Sequence, residues 1–316
     1  MKTIEEAALW LQNRNHFLIL THRRPDGDTT GSAIALCQGL RSIGKDAWIW
    51  ENPQFTTRYL PRLAGLTTAE AHDNTTVVAV DLATENLLPM NGARFAGTIE
   101  LCIDHHPSNE GYAKETLLEA HSAACGEIIW ELLEALHADI SPDMAEAIYM
   151  AISTDTGCFR FNNTTARTFR TAAMTVEHGA KIGPINRALF EIKSRGRLQL
   201  EAKIMEIIEF YAEGTVAICC LDQKLVEELG VTEDDLDSIS GFPRTIEGVN
   251  VGVMIRNSEP GKAKMSVRTA PGFDASAYCQ KIGGGGHVAA AGAAVPGTLE
   301  DGKHAILQVL KEEKVL

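Results

Sequence analysis

Up to about residue 190, short unbroken apolar runs alternate with stretches in which apolar side chains recur every three or four positions. The runs at 17–21, 47–50, 77–81 and 98–104 show no apolar–polar alternation, which predicts strands of a parallel sheet covered on both faces. The helical period predicts helices at 31–43 and 123–137. The second of these follows Ser122 and gathers Ile128, Ile129, Leu132, Leu133 and Leu136 on one face. A third helix is predicted from Pro142, a first-turn proline behind Ser141, with Met144, Ile148 and Ile152 on its apolar side. Thr3 followed by Glu6 reads as a capping box. Strand and helix in alternation define a doubly wound α/β domain.

Near residues 187–197 the rhythm changes. An amphipathic helix predicted at 198–211 leads into strands at 215–221, 249–256, 264–269 and 288–295, the sheet of a second, smaller α+β domain. The expected organisation is a first domain over 1–188, a linker over 189–197 and a second domain over 198–316. The acidic stretch from Glu233 to Asp237 is expected to be a solvated helix or loop, not a metal site.

Composition narrows the function. A length of 316 residues suits two domains, and 45% hydrophobic with 22% charged residues is that of an ordinary globular chain. The net charge of −13 argues against a long footprint on duplex nucleic acid, which needs many cationic phosphate contacts. It leaves room for small phosphorylated ligands, whose local pocket can oppose the global sign. No apolar run reaches the length of a bilayer span, and the first residues lack a signal peptide's pattern, so no membrane partner is expected. The seven cysteines form no C-x-x-C and several lie in apolar runs, which points to reduced thiols and a cytoplasmic location.

The segment Thr21-His22-Arg23-Arg24-Pro25-Asp26-Gly27-Asp28 carries an imidazole and two carboxylates on a stiff turn straight after an apolar strand. In doubly wound sheets the carboxyl ends of strands form the ligand crevice. The other reading is a polar turn with a helix-capping aspartate. Asp81 closes a second apolar run and Asp104-His105-His106 a third; a lone acid there would equally serve as a helix cap. Asp155 follows the helix from Pro142 in Ser153-Thr154-Asp155-Thr156-Gly157, where Gly157 suits a helix C-cap. The set holds imidazoles and carboxylates without a thiolate, which suits Mn²⁺ or Mg²⁺ better than structural zinc. It is large enough for two ions, an arrangement that stabilises the attacking and leaving oxygens of phosphoryl displacement. Farther on, Gly283, Gly284, Gly285 and Gly286 precede His287; such a run reads either as a nest of amides for an anion or as a flexible turn. Arg268 on a predicted strand could grip a phosphate or simply be solvated.

In this order the motifs His22-x-x-x-Asp26-x-Asp28, Asp81, Asp104-His105-His106, Asp155 and Gly283 to His287 resemble the DHH phosphoesterase family with a DHHA1-type C-terminal domain, over nearly the whole chain. Length and the short linker look most like its nanoRNase/pAp-phosphatase branch. The resemblance implies a doubly wound DHH domain, a smaller α+β DHHA1 domain and two divalent ions, Mn²⁺ with Mg²⁺ or Co²⁺ as alternatives. It implies that His22, Asp26 and Asp81 hold one ion, and that Asp28, Asp81, His105 and Asp155 hold the other with Asp81 bridging. His106 would face the substrate phosphate, with Asp104 orienting a neighbouring histidine. Arg268, His287 and Gly284, Gly285 and Gly286 would bind the nucleotide as the domains close. Arg23 and Arg24 put two cations beside the metal site and would bias it toward phosphate.

The implied reaction is hydrolysis of short oligoribonucleotides to mononucleotides, of pAp to AMP, or both. Cyclic or linear dinucleotides are the first alternative and pyrophosphate or short polyphosphate the second. An inactive nucleotide sensor is the non-enzymatic one. A homodimer is the assembly the family suggests.

Overall fold

Phe17 and Ile19 of the first strand, β1 (Phe17–Leu20), pack into one apolar cluster, while Leu18 and Leu20 pack into another. A strand buried on both faces has no polar side to show, which is why its sequence lacks alternation. The computed structural model describes residues 1–72, 74–236 and 239–316, in two compact units, Met1–Ile192 and Lys193–Leu316.

In the first unit β1 is joined by β2 (Ala47–Trp50), β3 (Thr67–Thr68), β4 (Thr76–Val80), β5 (Leu101–Asp104) and β6 (Glu115–Leu118). All pairings are parallel and the order is β3-β2-β1-β4-β5-β6, so the direction of winding reverses between β1 and β4. One face is covered by α1 (Ile4–Gln12), α2 (Gly27–Ser42), α3 (Cys125–Ala135) and α4 (Pro142–Asp155). Leu11, Leu36, Leu133 and Ile148 from these helices are all fully buried there. Each such side chain contributes roughly 1.5–3 kcal/mol by leaving water. The other face is closed by Trp50, Leu88 and Phe95, the last on a 3₁₀ turn at Met90–Phe95. A fifth helix, α5 (Ala166–Glu177), packs outside α3 and α4.

Helix α2 begins at Gly27, not at residue 31 as the apolar period predicts. Its first turn is polar yet buried, and Asp26 caps it by accepting from the backbone N–H groups of Asp28 at 3.0 Å and Thr29 at 3.1 Å. Small residues let α2 lie close against α4: a Cβ on Gly31 would come within 2.3 Å of the Ala147 carbonyl oxygen. One on Gly27 would meet the Thr154 side chain at 2.4 Å. The first turn of α2 therefore sits against the last turn of α4, and Asp28 comes level with Asp155.

The second unit holds a six-stranded mixed sheet in the order β11-β12-β10-β9-β8-β7. Its strands are β7 (Glu209–Tyr211), β8 (Val216–Leu221), β9 (Val251–Glu259), β10 (Lys262–Thr269), β11 (Gly285–His287) and β12 (Ala290–Pro296), with only β8 and β9 parallel. One face takes α6 (Arg195–Ile207) through Leu200 and Ile204; the other takes α7 (Ala275–Gln280) and α8 (Leu299–Glu312) through Tyr278, Ile306 and Leu310. The helix predicted at 198–211 ends at Ile207, because Glu209–Tyr211 pairs with β8 instead. Residues 189–197 hold the end of a π-helical turn, Arg187–Glu191, and the start of α6 capped by Ser194. Glu233–Leu236 is a short helix, and Asp237 lies outside the described residues.

The glycine run, which reads either as an anion nest or as a flexible turn, is partly strand. Gly285–His287 pairs antiparallel with β12, and a Cβ on Gly284 would lie 2.2 Å from the Gly292 carbonyl oxygen. Gly284→Ala should therefore destabilise the protein by about 1–3 kcal/mol, read as a lower denaturation midpoint, since backbone cannot yield as a side chain does.

Candidate metal centre

The winding reversal between β1 and β4 opens a crevice at the carboxyl ends of those strands, where doubly wound sheets bind ligands. His22 leaves the end of β1, Asp81 the end of β4, and Asp104, His105 and His106 the end of β5. Asp26 and Asp28 come from the start of α2 and Asp155 from the last turn of α4.

Three groups of ligand-type atoms gather here, each within 4.8 Å: His22, Asp26 and Asp81; Asp28, His105 and Asp155; and Asp81, His105 and His106. Asp81 is shared. Its Oδ2 lies 3.7 Å from His22 Nε2, and its Oδ1 lies 3.4 Å from His105 Nε2. Asp81 also has a left-handed backbone, φ 54°, a conformation that aspartate tolerates better than most residues. His105 Nε2 stands 3.8 Å from Asp28 Oδ2 and 3.5 Å from Asp155 Oδ2.

Each imidazole is oriented through its other nitrogen. His22 Nδ1 donates to the Arg23 carbonyl at 2.8 Å and His105 Nδ1 to the Ser122 carbonyl at 3.1 Å. His106 Nδ1 donates to Asp104 Oδ1 at 2.7 Å, which leaves only its Nε2 for a substrate. Asp104, fully buried, also accepts from the backbone N–H groups of His105 and His106 and from Asn109 Nδ2 at 2.6 Å. Asp28 accepts from the Cys125 and Gly126 amides at 2.7 and 3.0 Å and from Ser32 Oγ at 3.1 Å.

The electrostatics of the bare cluster are those of carboxylates crowded around imidazoles. Burial disfavours the charged form of His22, yet Asp26, Asp81 and the Arg23 carbonyl outweigh it and raise its pKa to about 9. The same contest at His105, against Asp81, Asp28 and Asp155, ends at about 10. Burial, with Asp81 and Asp155 nearby, holds Asp28 well above the usual carboxylate range. Burial also lifts Asp155 to about 7, against the opposing pull of His105.

These residues fit divalent cations. Asp81 Oδ1 is buried without a hydrogen-bond partner, and the donors are all nitrogen and oxygen. The predicted residues of the first unit thus meet at one place. Sequence reasoning missed the supports: Asn109, Ser122 and the amides of Cys125 and Gly126. Asn109 had a signal in lying just beyond the Asp-His-His triplet; backbone amides leave none.

In the second unit Arg268 pairs across the sheet with Ala290, and Ala290 with His287, so the three side chains stand in one row. Arg268 and His287 are two strand spacings apart, about 10 Å. Arg268 Nη2 donates to Ser240 Oγ at 3.3 Å, and His287 is exposed.

The chain belongs to the DHH family of divalent-metal-dependent phosphoesterases. The DHH family N-terminal domain matches residues 16–152 and the DHHA1 domain residues 214–314. Within that family it is 31% identical over 299 residues to the bifunctional oligoribonuclease and PAP phosphatase NrnA of Thermus thermophilus, covering 93% of this chain and 89% of that protein. It is 26% identical to the cyclic-di-AMP phosphodiesterase GdpP of Bacillus subtilis, over 92% of this chain but 47% of that protein. An exopolyphosphatase-related protein of Bacteroides fragilis shares the fold, with TM-score 0.88 at 22% identity over 98% of this chain and 96% of that one.

Proposed function

We propose that this phosphoesterase hydrolyses short oligoribonucleotides to mononucleotides and pAp to AMP, using two Mn²⁺ ions. The observation that carries the reading is the near full-length similarity to the Thermus oligoribonuclease and PAP phosphatase. The oxygen-rich cluster around Asp81 supports it. His22, Asp26 and Asp81 hold one ion; Asp28, Asp81, His105 and Asp155 hold the other. Mg²⁺ or Co²⁺ suits the same donors. When bound, the pair of cations supplies an activated water and neutralises charge on the phosphoryl oxygens. Asp104 fixes the His106 ring so that Nε2 meets the substrate phosphate. Arg268, His287 and the glycines Gly284, Gly285 and Gly286 hold the nucleotide.

The similarity to GdpP favours cyclic di-AMP as the second reading, with the chain spanning about half of that protein. The deciding experiment is Mn²⁺-dependent turnover of a labelled RNA dinucleotide, with pAp, cyclic di-AMP and pyrophosphate in parallel. Release of mononucleotides and of phosphate from pAp is the expected result. Turnover of cyclic di-AMP or pyrophosphate alone would replace the substrate assignment, and tight nucleotide binding without turnover would make the protein a sensor.

Asp104→Asn should lower turnover by about 10–100-fold, the usual cost of losing a residue that orients a site without touching the ion. Steady-state kinetics check it. Among the described residues no helix is long and apolar enough to cross a membrane, and all seven cysteines are free thiols. The free thiols support a cytoplasmic location. We take a homodimer as its working form, to be checked by light scattering.

A further inference from the structure

We propose that Arg167, acting with Glu127 through the turn at 122–126, is the positioning residue for the second cation's ligands; this rests on the metal assignment above. One turn orients two of those ligands. Its Ser122 carbonyl accepts from His105 Nδ1, and its Cys125 and Gly126 amides donate to the two oxygens of Asp28. The N-cap residue of α3, Ala124, has no capping side chain of its own, so Asp28 from α2 performs that service. The turn and the carboxylate cannot move independently.

What fixes the turn lies behind it. Glu127, fully buried, accepts from the Ala123 N–H at 3.1 Å. Arg167, in the first turn of α5, donates from Nη1 to Ser122 Oγ at 2.8 Å. Its Nε lies 2.7 Å from Glu131 Oε1 and 3.8 Å from Glu127 Oε2, and Nη1 lies 3.9 Å from Glu119 Oε2. Asn163, just ahead of α5, donates to the Ala123 carbonyl at 3.0 Å and to the Asp155 carbonyl at 3.1 Å. Asp28, His105 and Asp155 are therefore tied to one polar frame with Arg167 at its centre. His22 and Asp26 are oriented elsewhere, by the Arg23 carbonyl and by the first amides of α2. Loss of the frame should loosen one ion and spare the other.

The test uses the full chain, stripped with chelator and titrated with Mn²⁺ by calorimetry, with electron paramagnetic resonance to follow the spin-coupled pair. Arg167→Leu removes the frame's centre. Ser122→Ala removes only the hydroxyl that Arg167 holds, leaving the charges paired, and so guards against simple unfolding. Both variants should weaken one Mn²⁺ by about 10–100-fold, keep the other within about twofold, and lose the coupled signal at limiting metal. Arg167→Lys should recover part of the loss. Unchanged affinities, or equal weakening of both ions alongside a lower melting temperature, would overturn the positioning role. A wild-type chain that takes up no Mn²⁺ would overturn the metal assignment itself, and this proposal with it.

Discussion

Asp81→Asn lowers turnover of an RNA dinucleotide by about 1,000-fold, the largest loss expected of any single substitution in the cluster. The two oxygens of Asp81 face different imidazoles, His22 and His105, so one carboxylate serves both proposed cation positions. Asparagine keeps the shape but removes the charge and one acceptor. Losing several kcal/mol of charge stabilisation in the transition state corresponds to about three powers of ten in rate. The fold should survive, because asparagine also tolerates the left-handed backbone that Asp81 adopts. Kinetics, Mn²⁺ stoichiometry and a melting curve on the same preparation check the three parts together. Full hydrolysis with both ions still bound would show that the bridging role is wrong.

Mn²⁺ loading tightens steeply as pH rises from about 6 to 9, by up to about tenfold per pH unit for each proton displaced. In the metal-free protein His22 and His105 hold their protons to about 9 and about 10, so an entering cation must drive both off. The same shifts set the sign of stability. A histidine whose folded pKa exceeds its unfolded 6.5 stabilises fully below 6.5, and that contribution is lost as pH climbs through 9 and 10. Asp155, raised from 3.8 to about 7, has the same sign: its contribution is present below 3.8 and gone above 7. With EDTA the melting temperature should fall from pH 6.5 to 10, while saturating Mn²⁺, which binds only the native state, offsets the fall. Calorimetry in buffers of different ionisation enthalpy counts the released protons; a dissociation constant flat across this range would refute the account.

The central strands were legible because two-sided burial writes an unbroken apolar run, as at Phe17–Leu20 and Thr76–Val80. Helix α5 was not, because its inward face is Thr168, Thr171 and Thr175, which give no apolar stripe. The first turn of α2 was missed for a related reason: Asp28, Thr29 and Thr30 are polar but buried around the site. Sequence spacing picked out the residues that the fold gathers at the crevice, since each follows a strand end or begins or ends a helix. It could not pick out Arg167, whose partners Ser122, Glu127 and Glu131 lie far away in sequence. The glycines before His287 were visible, but the pairing that demands two of them was not.

The capping of α3 by Asp28 bears on when the ions are acquired. Many small metal sites stay unfolded until the metal arrives, because nothing else restrains the ligands. Here the carboxylates of Asp28 and Asp104 already have backbone amides as partners, and the sheet beneath them rests on its own apolar clusters. These side chains are thus held before any cation arrives. A divalent cation would enter a pocket already standing, and removing it with chelator would leave that pocket ready to be filled again.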